Sequence, residues 1–204
     1  MTTTSLEFRP AVPKNLEEVL GFQADKLIEI GMPAEVKVTA DEYRNDLAKA
    51  IEAFEWKLEL AEIGLVNVAI CDFRARASFL CEVANIPVGR RYTDPDKCTN
   101  FEGIVTPEGI AIVQVQWGKK YANRAPRDVR ANHDPAETLG TLAVGLHGLV
   151  YEPTLLQNLY MDLPGSVDAD GDVPYLYLGG DEPCLSADYD GDVSSDYGSV
   201  SFGS

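Results

Sequence analysis

The chain has 204 residues, 45% hydrophobic and 25% charged, with a formal net charge of -16 at pH 7; it is long enough for one domain with a substantial core and too apolar for wholesale disorder. Residues 1–130 hold all 17 Lys and Arg against 20 acids, a net of -3, whereas residues 131–204 hold 13 acids and no base, a net of -13. Such a field repels phosphate backbones and anionic lipid, which argues against nucleic acid and membrane as partners and favours a basic protein or a cation. The Met-Thr-Thr-Thr opening lacks a basic and then apolar leader, and no segment approaches the ~20 apolar residues that span a bilayer, so a cytoplasmic protein is expected. Cys71, Cys81, Cys98 and Cys184 have no CxxC spacing and are expected to be reduced, partly buried thiols.

In chain order, residues 1–13, ending Arg9-Pro10-Ala-Val-Pro13, read as an extended lead-in. Asn15 is placed to cap a helix whose stripe is Leu16, Val19, Leu20, Leu27 and Ile30, stopped by Gly31 and Pro33. Thr39-Ala-Asp-Glu42 is a capping box opening a second helix with Tyr43, Leu47, Ala50, Ile51 and Phe54 on its buried side. The β-branched run over 64–71 predicts a buried strand, and 74–85 reads equally as strand or helix.

Ile110 to Trp117 is the clearest strand. Ala111, Val113, Val115 and Trp117 form its better core face, with Ile110, Ile112, Gln114 and Gln116 on the other. A loop with a short helix from Pro126 follows. Asp134-Pro-Ala-Glu137 carries a second capping signature, predicting a helix to about Val150 with Leu139, Leu142, Ala143, Leu146 and Val150 as its stripe. Gly140, Gly145 and Gly148 cost that helix stability unless close packing compensates. A short helix from Pro153 and strands over Val173–Leu178, Pro183–Ala187 and Gly198–Phe202 complete the chain. The expectation is a single α+β domain over 1–204: two N-terminal amphipathic helices, a mostly antiparallel sheet, a central helix, and an acidic strand-and-turn segment over 168–204.

That segment repeats a DxDGDV pattern, with Asp168, Asp170 and Asp172 in one copy and Asp188, Asp190 and Asp192 in the next. Alternate carboxylates in a tight loop suggest Ca2+, since a hard cation wants several oxygens. The positions where an EF-hand needs Gly and a bidentate Glu hold Val173 and Gly179, then Val193 and Ser199, so Asp-Gly turns are the stronger reading. Lys119, Lys120, Arg124, Arg127 and Arg130 form a basic cluster that could hold an anion or meet the acidic tail. For a hydrolase the candidate bases are His133, expected to be exposed ahead of a helix cap, and His147, expected to pack beside an apolar stripe. No GxSxG, HExxH, P-loop or dinucleotide fingerprint occurs.

The order of GFQADKLIEIGMP, TADEYRNDL, EGIVTPEGIAIVQVQWG with NRAPRD, ETLGTLAVGLHGLVYEP, VPYLYLGGDEPCLS and GSVSFGS resembles an uncharacterised actinobacterial domain-of-unknown-function family. The resemblance covers nearly the whole chain; it implies a single domain and supplies no activity. Where that family has a Trp-rich stretch with Asn-Pro-His, this chain has ADYDGDVSSDY.

Taken together these features predict a non-enzymatic binding or assembly protein with an acidic surface for a basic or cationic partner. A calcium module built on the two DxDGD loops and a small hydrolase are the alternatives. Short strands near the tail also leave edge pairing between copies open, and hence a homo-oligomer.

Overall fold

A computed structural model describes residues 12–157 and 159–204; most of the expected lead-in, residues 1–11, lies outside them. The chain runs α1 (Leu16–Glu29), α2 (Met32–Glu35), α3 (Ala40–Ala53), α4 (Leu58–Glu62), β1 (Asn67–Asp72), α5 (Ala77–Val83), β2 (Thr99–Asn100), β3 (Ile110–Gln116), α6 (Pro126–Asn132), β4 (Thr138–Leu139), α7 (Leu142–Tyr151), β5 (Tyr160–Asp162), β6 (Ser166–Val167), β7 (Val173–Gly179), β8 (Glu182–Asp188), β9 (Tyr197–Ser199) and β10 (Ser201–Gly203). The architecture is α+β. One sheet has the order β1-β3-β10-β4 and is antiparallel; the other has the order β8-β7-β5-β9, with β5 and β9 parallel; β2 and β6 form a small ribbon. No helix among the described residues is long and apolar enough to cross a membrane.

The two N-terminal helices form where their sequence patterns place them. The capping box opening α3 is complete: the Glu42 amide donates to Thr39 Oγ1 at 3.2 Å and the Thr39 amide to Glu42 Oε2 at 2.8 Å. Asn15 does stand at the N-cap of α1, but its side chain accepts no capping bond. Gly31 ends α1 with a left-handed φ of 86°, whereas Pro33 occupies the first turn of α2, where a missing amide hydrogen costs nothing. The segment 74–85, ambiguous in sequence, supplies α5.

Both faces of the first sheet are covered, which corrects the one-sided reading of β3. Trp117 packs on Gly148 of α7, while on the other face Ile112 and Gln114 are buried beside the segment 50–65 and Gln116 beside Ser199. The glutamines are tolerated there because their amides are satisfied. Gln114 bonds the backbone of Lys57 and Leu65, and Gln116 bonds the backbone of Ser199 and Gly118. Alternating polarity marked hydrogen-bonding partners here, not solvent.

β1 is an edge strand inside the protein, and side chains complete it. Gln23 of α1 donates to Val68 O at 3.0 Å and accepts from the Ile70 amide at 2.8 Å. From α7, Tyr151 donates to Ile70 O and His147 Nε2 accepts from the Asp72 amide at 3.1 Å. An unpaired buried edge would be costly and prone to pairing with other chains.

The helix predicted from Asp134 is shorter than expected. Asp134 closes a turn by accepting from the Ala136 amide at 2.9 Å. Glu137 is drawn into the interior by Lys120 and by Tyr121, whose hydroxyl donates to it at 2.9 Å. Thr138 and Leu139 then pair with Phe202 and Ser201 as β4, and Thr141 becomes the true N-cap of α7. The predicted strand over Gly198–Phe202 is likewise two strands. β9 belongs to one sheet and β10 to the other, with Val200 crossing between them through bonds to Asp162 O and from the Gly140 amide.

α7 lies between the sheets and is buried from Val144 through Val150. Its glycines permit the approach: a Cβ on Gly145 would stand 2.6 Å from Leu163, and one on Gly148 would stand 2.5 Å from the Trp117 ring. Gly148→Ala should therefore destabilise the fold by about 1–3 kcal/mol through overpacking, despite its better helix propensity, as measured by urea unfolding. Gln23→Ala strands a buried carbonyl and a buried amide of β1 and should cost about 2–4 kcal/mol in the same assay; a change within error would mean that water completes that edge.

Candidate functional site: a tyrosine face on the acidic sheet

The second sheet packs one face, carrying Met161, Leu176 and Leu185, against the core. Its other face is built from two rows of side chains set by the register. Cys184, Tyr177, Tyr160 and Tyr197 form one row; Ser186, Tyr175, Asp162 and Ser199 form the next. The four tyrosines make one aromatic cluster with ring centroids 5.0–6.4 Å apart, and the rings of Tyr175 and Tyr197 approach to 5.3 Å across the intervening strand β5. All four are partly exposed.

Within this row Asp162 is only 3% exposed, and its Oδ2 has no hydrogen-bond partner among the described residues; neither has the adjacent Ser199 Oγ. Burial pushes the Asp162 carboxyl up to about 7, and the nearby Asp188 carboxylate adds to the shift. Burial likewise raises the Tyr197 hydroxyl, helped by Tyr175, Asp162 and Asp188. A cation reaching this face would meet aromatic π-faces and an unsatisfied carboxylate together.

The two acidic repeats flank the same end of the sheet, since β7 starts at Val173 directly opposite Asp188, where β8 ends. Asp168 is a turn former: its Oδ1 accepts from the amides of Asp170 at 2.9 Å and Asp172 at 3.0 Å, and its Oδ2 from Thr93 Oγ1 at 3.1 Å. The Asp172 carboxyl is raised by burial and by Asp168, Asp170, Asp188 and Asp190. Asp190 accepts from Arg130 at 3.2 Å and, through its carbonyl, from the Arg127 amide at 2.9 Å. Among the described residues, no group of three or more His, Cys, Asp or Glu is arranged to hold a metal ion. Asp192 lies exposed beside Asp190.

The basic cluster does not stay together. Lys120 and Arg124 lie over the Tyr121 ring, at 5.3 and 5.5 Å from its centroid, and Lys119 lines a separate cleft with Trp117. Arg127 and Arg130 meet the second acidic turn, and Arg130, with an 8% exposed side chain, also bonds Pro164 O and Ser166 O.

His147 is not free to act as a base. It is fully buried, and its two bonds fix the neutral tautomer: Nδ1 donates to Ala143 O at 2.8 Å while Nε2 accepts from the Asp72 amide. Burial lowers its basicity further. His133 is half-buried at the end of α6, with Nδ1 3.1 Å from Arg130 O. The four cysteines are free thiols, and Cys71, Cys81 and Cys184 are buried.

Composition directed attention to the acidic turns, yet the residues brought together include Tyr160, Asp162, Tyr175, Tyr177 and Tyr197. The period of two in Tyr160-Met-Asp162 and Tyr175-Leu-Tyr177 was the available signal for a shared face. Comparison with protein-family models, curated proteins and solved structures finds no match.

The raised Asp162 carboxyl makes the fold pH-dependent. Its folded value of about 7 exceeds its ordinary 3.8, so the folded state holds this proton more tightly than the unfolded chain. The contribution is complete at acid pH, is lost as pH rises through about 7, and is absent above. Asp162→Asn should flatten that part of the stability–pH curve and leave the variant more stable than the parent at pH 8, by on the order of 2 kcal/mol. Unchanged slopes in urea titrations across that range would mean that Asp162 keeps an ordinary carboxyl.

Proposed function

We propose that this chain is a binding protein that takes a cationic side chain of a basic protein partner onto the tyrosine face of the second sheet. Asp162 carries the reading: a buried carboxylate without a partner, set in a row with Tyr175 and beside Tyr160 and Tyr197. A guanidinium or ammonium group would satisfy that carboxylate and lie on the ring faces, while the acidic turns at the sheet's end would draw the rest of a basic segment. The absence of any Lys or Arg after Arg130 leaves that attraction uncompensated within the C-terminal segment itself.

Calorimetric titration with an Arg- and Lys-rich peptide, against a neutral peptide of equal length, tests this. The basic peptide should bind, more weakly as salt rises, and binding should drop about tenfold or more in Asp162→Asn and in Tyr175→Ala. Binding should also pull the Asp162 carboxyl down, releasing a proton near pH 7. Absence of binding, or equal binding by both variants, would refute the proposal.

A further inference from the structure

A second site stands apart from the tyrosine face. We infer that the cleft at the N-terminus of α7 binds a tetrahedral oxyanion of the phosphate or sulfate class. The cleft, of about 410 Å³, is bounded by the first turn of α7, the segment after β1, the loop around Asp96 to Asn100, and Ser166 of β6. At its floor, Thr141 occupies the N-cap position of the ten-residue helix α7. Threonine normally accepts there from an amide of the first turn. Thr141 makes no capping bond; its side chain is buried, with the residue 1% exposed, and Oγ1 has no partner among the described residues. A hydroxyl buried in that way is the mark of a missing acceptor.

The surrounding groups are donors. Ser166 Oγ accepts from the Leu142 amide at 2.9 Å, which leaves the hydroxyl proton of Ser166 to donate. The amides of Ala143 and Val144 make no hydrogen bond to a described residue, and the first turn of a helix favours negative charge. Arg74 and Arg76 also line the cleft. Each spends Nε and Nη2 on a carboxylate, Asp72 and Glu35 respectively, so each keeps its Nη1 free of any bond to a described residue. The acid in the lining is Asp96, whose Oδ1 accepts from the Ser78 amide at 2.8 Å. Asp72 and Glu35 already offset the two guanidinium groups, so an anion is selected by the donors: the unpartnered Thr141 hydroxyl, the Ser166 hydroxyl proton, the two open amides and the free Nη1 groups.

The test is thermal unfolding and calorimetry of the full chain with inorganic phosphate, with sulfate, and with a nucleoside monophosphate, each against chloride at matched ionic strength. A saturable rise in Tm with phosphate or sulfate is expected. Tighter binding of the monophosphate would identify an ester as the source of the anion, and equal or weaker binding would identify the free ion. Thr141→Val, close in shape, should weaken binding about tenfold yet raise the Tm of the unliganded protein, because it removes a buried hydroxyl without a partner. Arg76→Gln, at an exposed position, should also weaken binding. No saturable effect of any of the three anions, or undiminished binding in both variants, would overturn the inference.

Discussion

α7 presents no side to solvent along most of its length, and this constraint organises the molecule. A helix apolar all round must be enclosed, and here two sheets and α5 do the enclosing. The enclosure is tight because Gly145 and Gly148 remove the side chains that would hold Leu163, Leu176 and Trp117 away. What the glycines cost in helix propensity is offset by packing on both flanks. The two sheets are also tied covalently, since β9 and β10 are consecutive and Val200 carries the chain from one to the other past the start of α7. A displacement of the helix would therefore be felt in both sheets together.

An enclosed core of this kind forces every buried polar group to find a partner. On β1, Gln23, Tyr151 and His147 meet the carbonyl of Val68, both backbone groups of Ile70 and the Asp72 amide, so His147 serves the structure. Glu137 is satisfied by Lys120 and Tyr121, at the cost of the longer helix its sequence advertised. Tyr43, Trp56, Thr141, Asp162 and Ser199 contain buried polar atoms without partners among the described residues. Asp162 and Ser199 are neighbours in one row of the tyrosine face, and Thr141 lines a cleft with Arg74 and Arg76. Three of these five gaps thus fall at the two candidate sites, on the tyrosine face and in the cleft at the start of α7.

Charge is also segregated. The DxDGD repeats, 20 residues apart in the chain, become neighbours because β7 and β8 pair as a hairpin. The basic residues from Lys119 to Arg130 go the other way: contiguous in sequence, they disperse between a tyrosine ring, a cleft and the second acidic turn. Arg130 couples the two charge systems, holding Asp190 while its guanidinium lies 3.8 Å from the Phe101 ring centroid. The acidic segment is held to the rest of the protein chiefly by strand pairing, so its negative charge is a property of a folded surface.

Local chemistry was enough to determine several features from the sequence alone. The capping box of α3, the apolar stripes of α1 and α3, the buried character of β1 and the strands β7 and β8 all depend on contacts within a few residues or on a strict period. So does the acidic character of the C-terminal segment. Where a residue's partner lies far along the chain, only the tertiary structure decided the outcome. Glu137 looks like a helix cap until Lys120 and Tyr121 are beside it, and Gln114 and Gln116 look solvated until the backbone they bond is in place. Asp162 is one unremarked aspartate among many until two flanking strands set tyrosines around it. Register and burial cannot be read from one strand, because the energy of a buried polar group is fixed by the atoms that arrive opposite it.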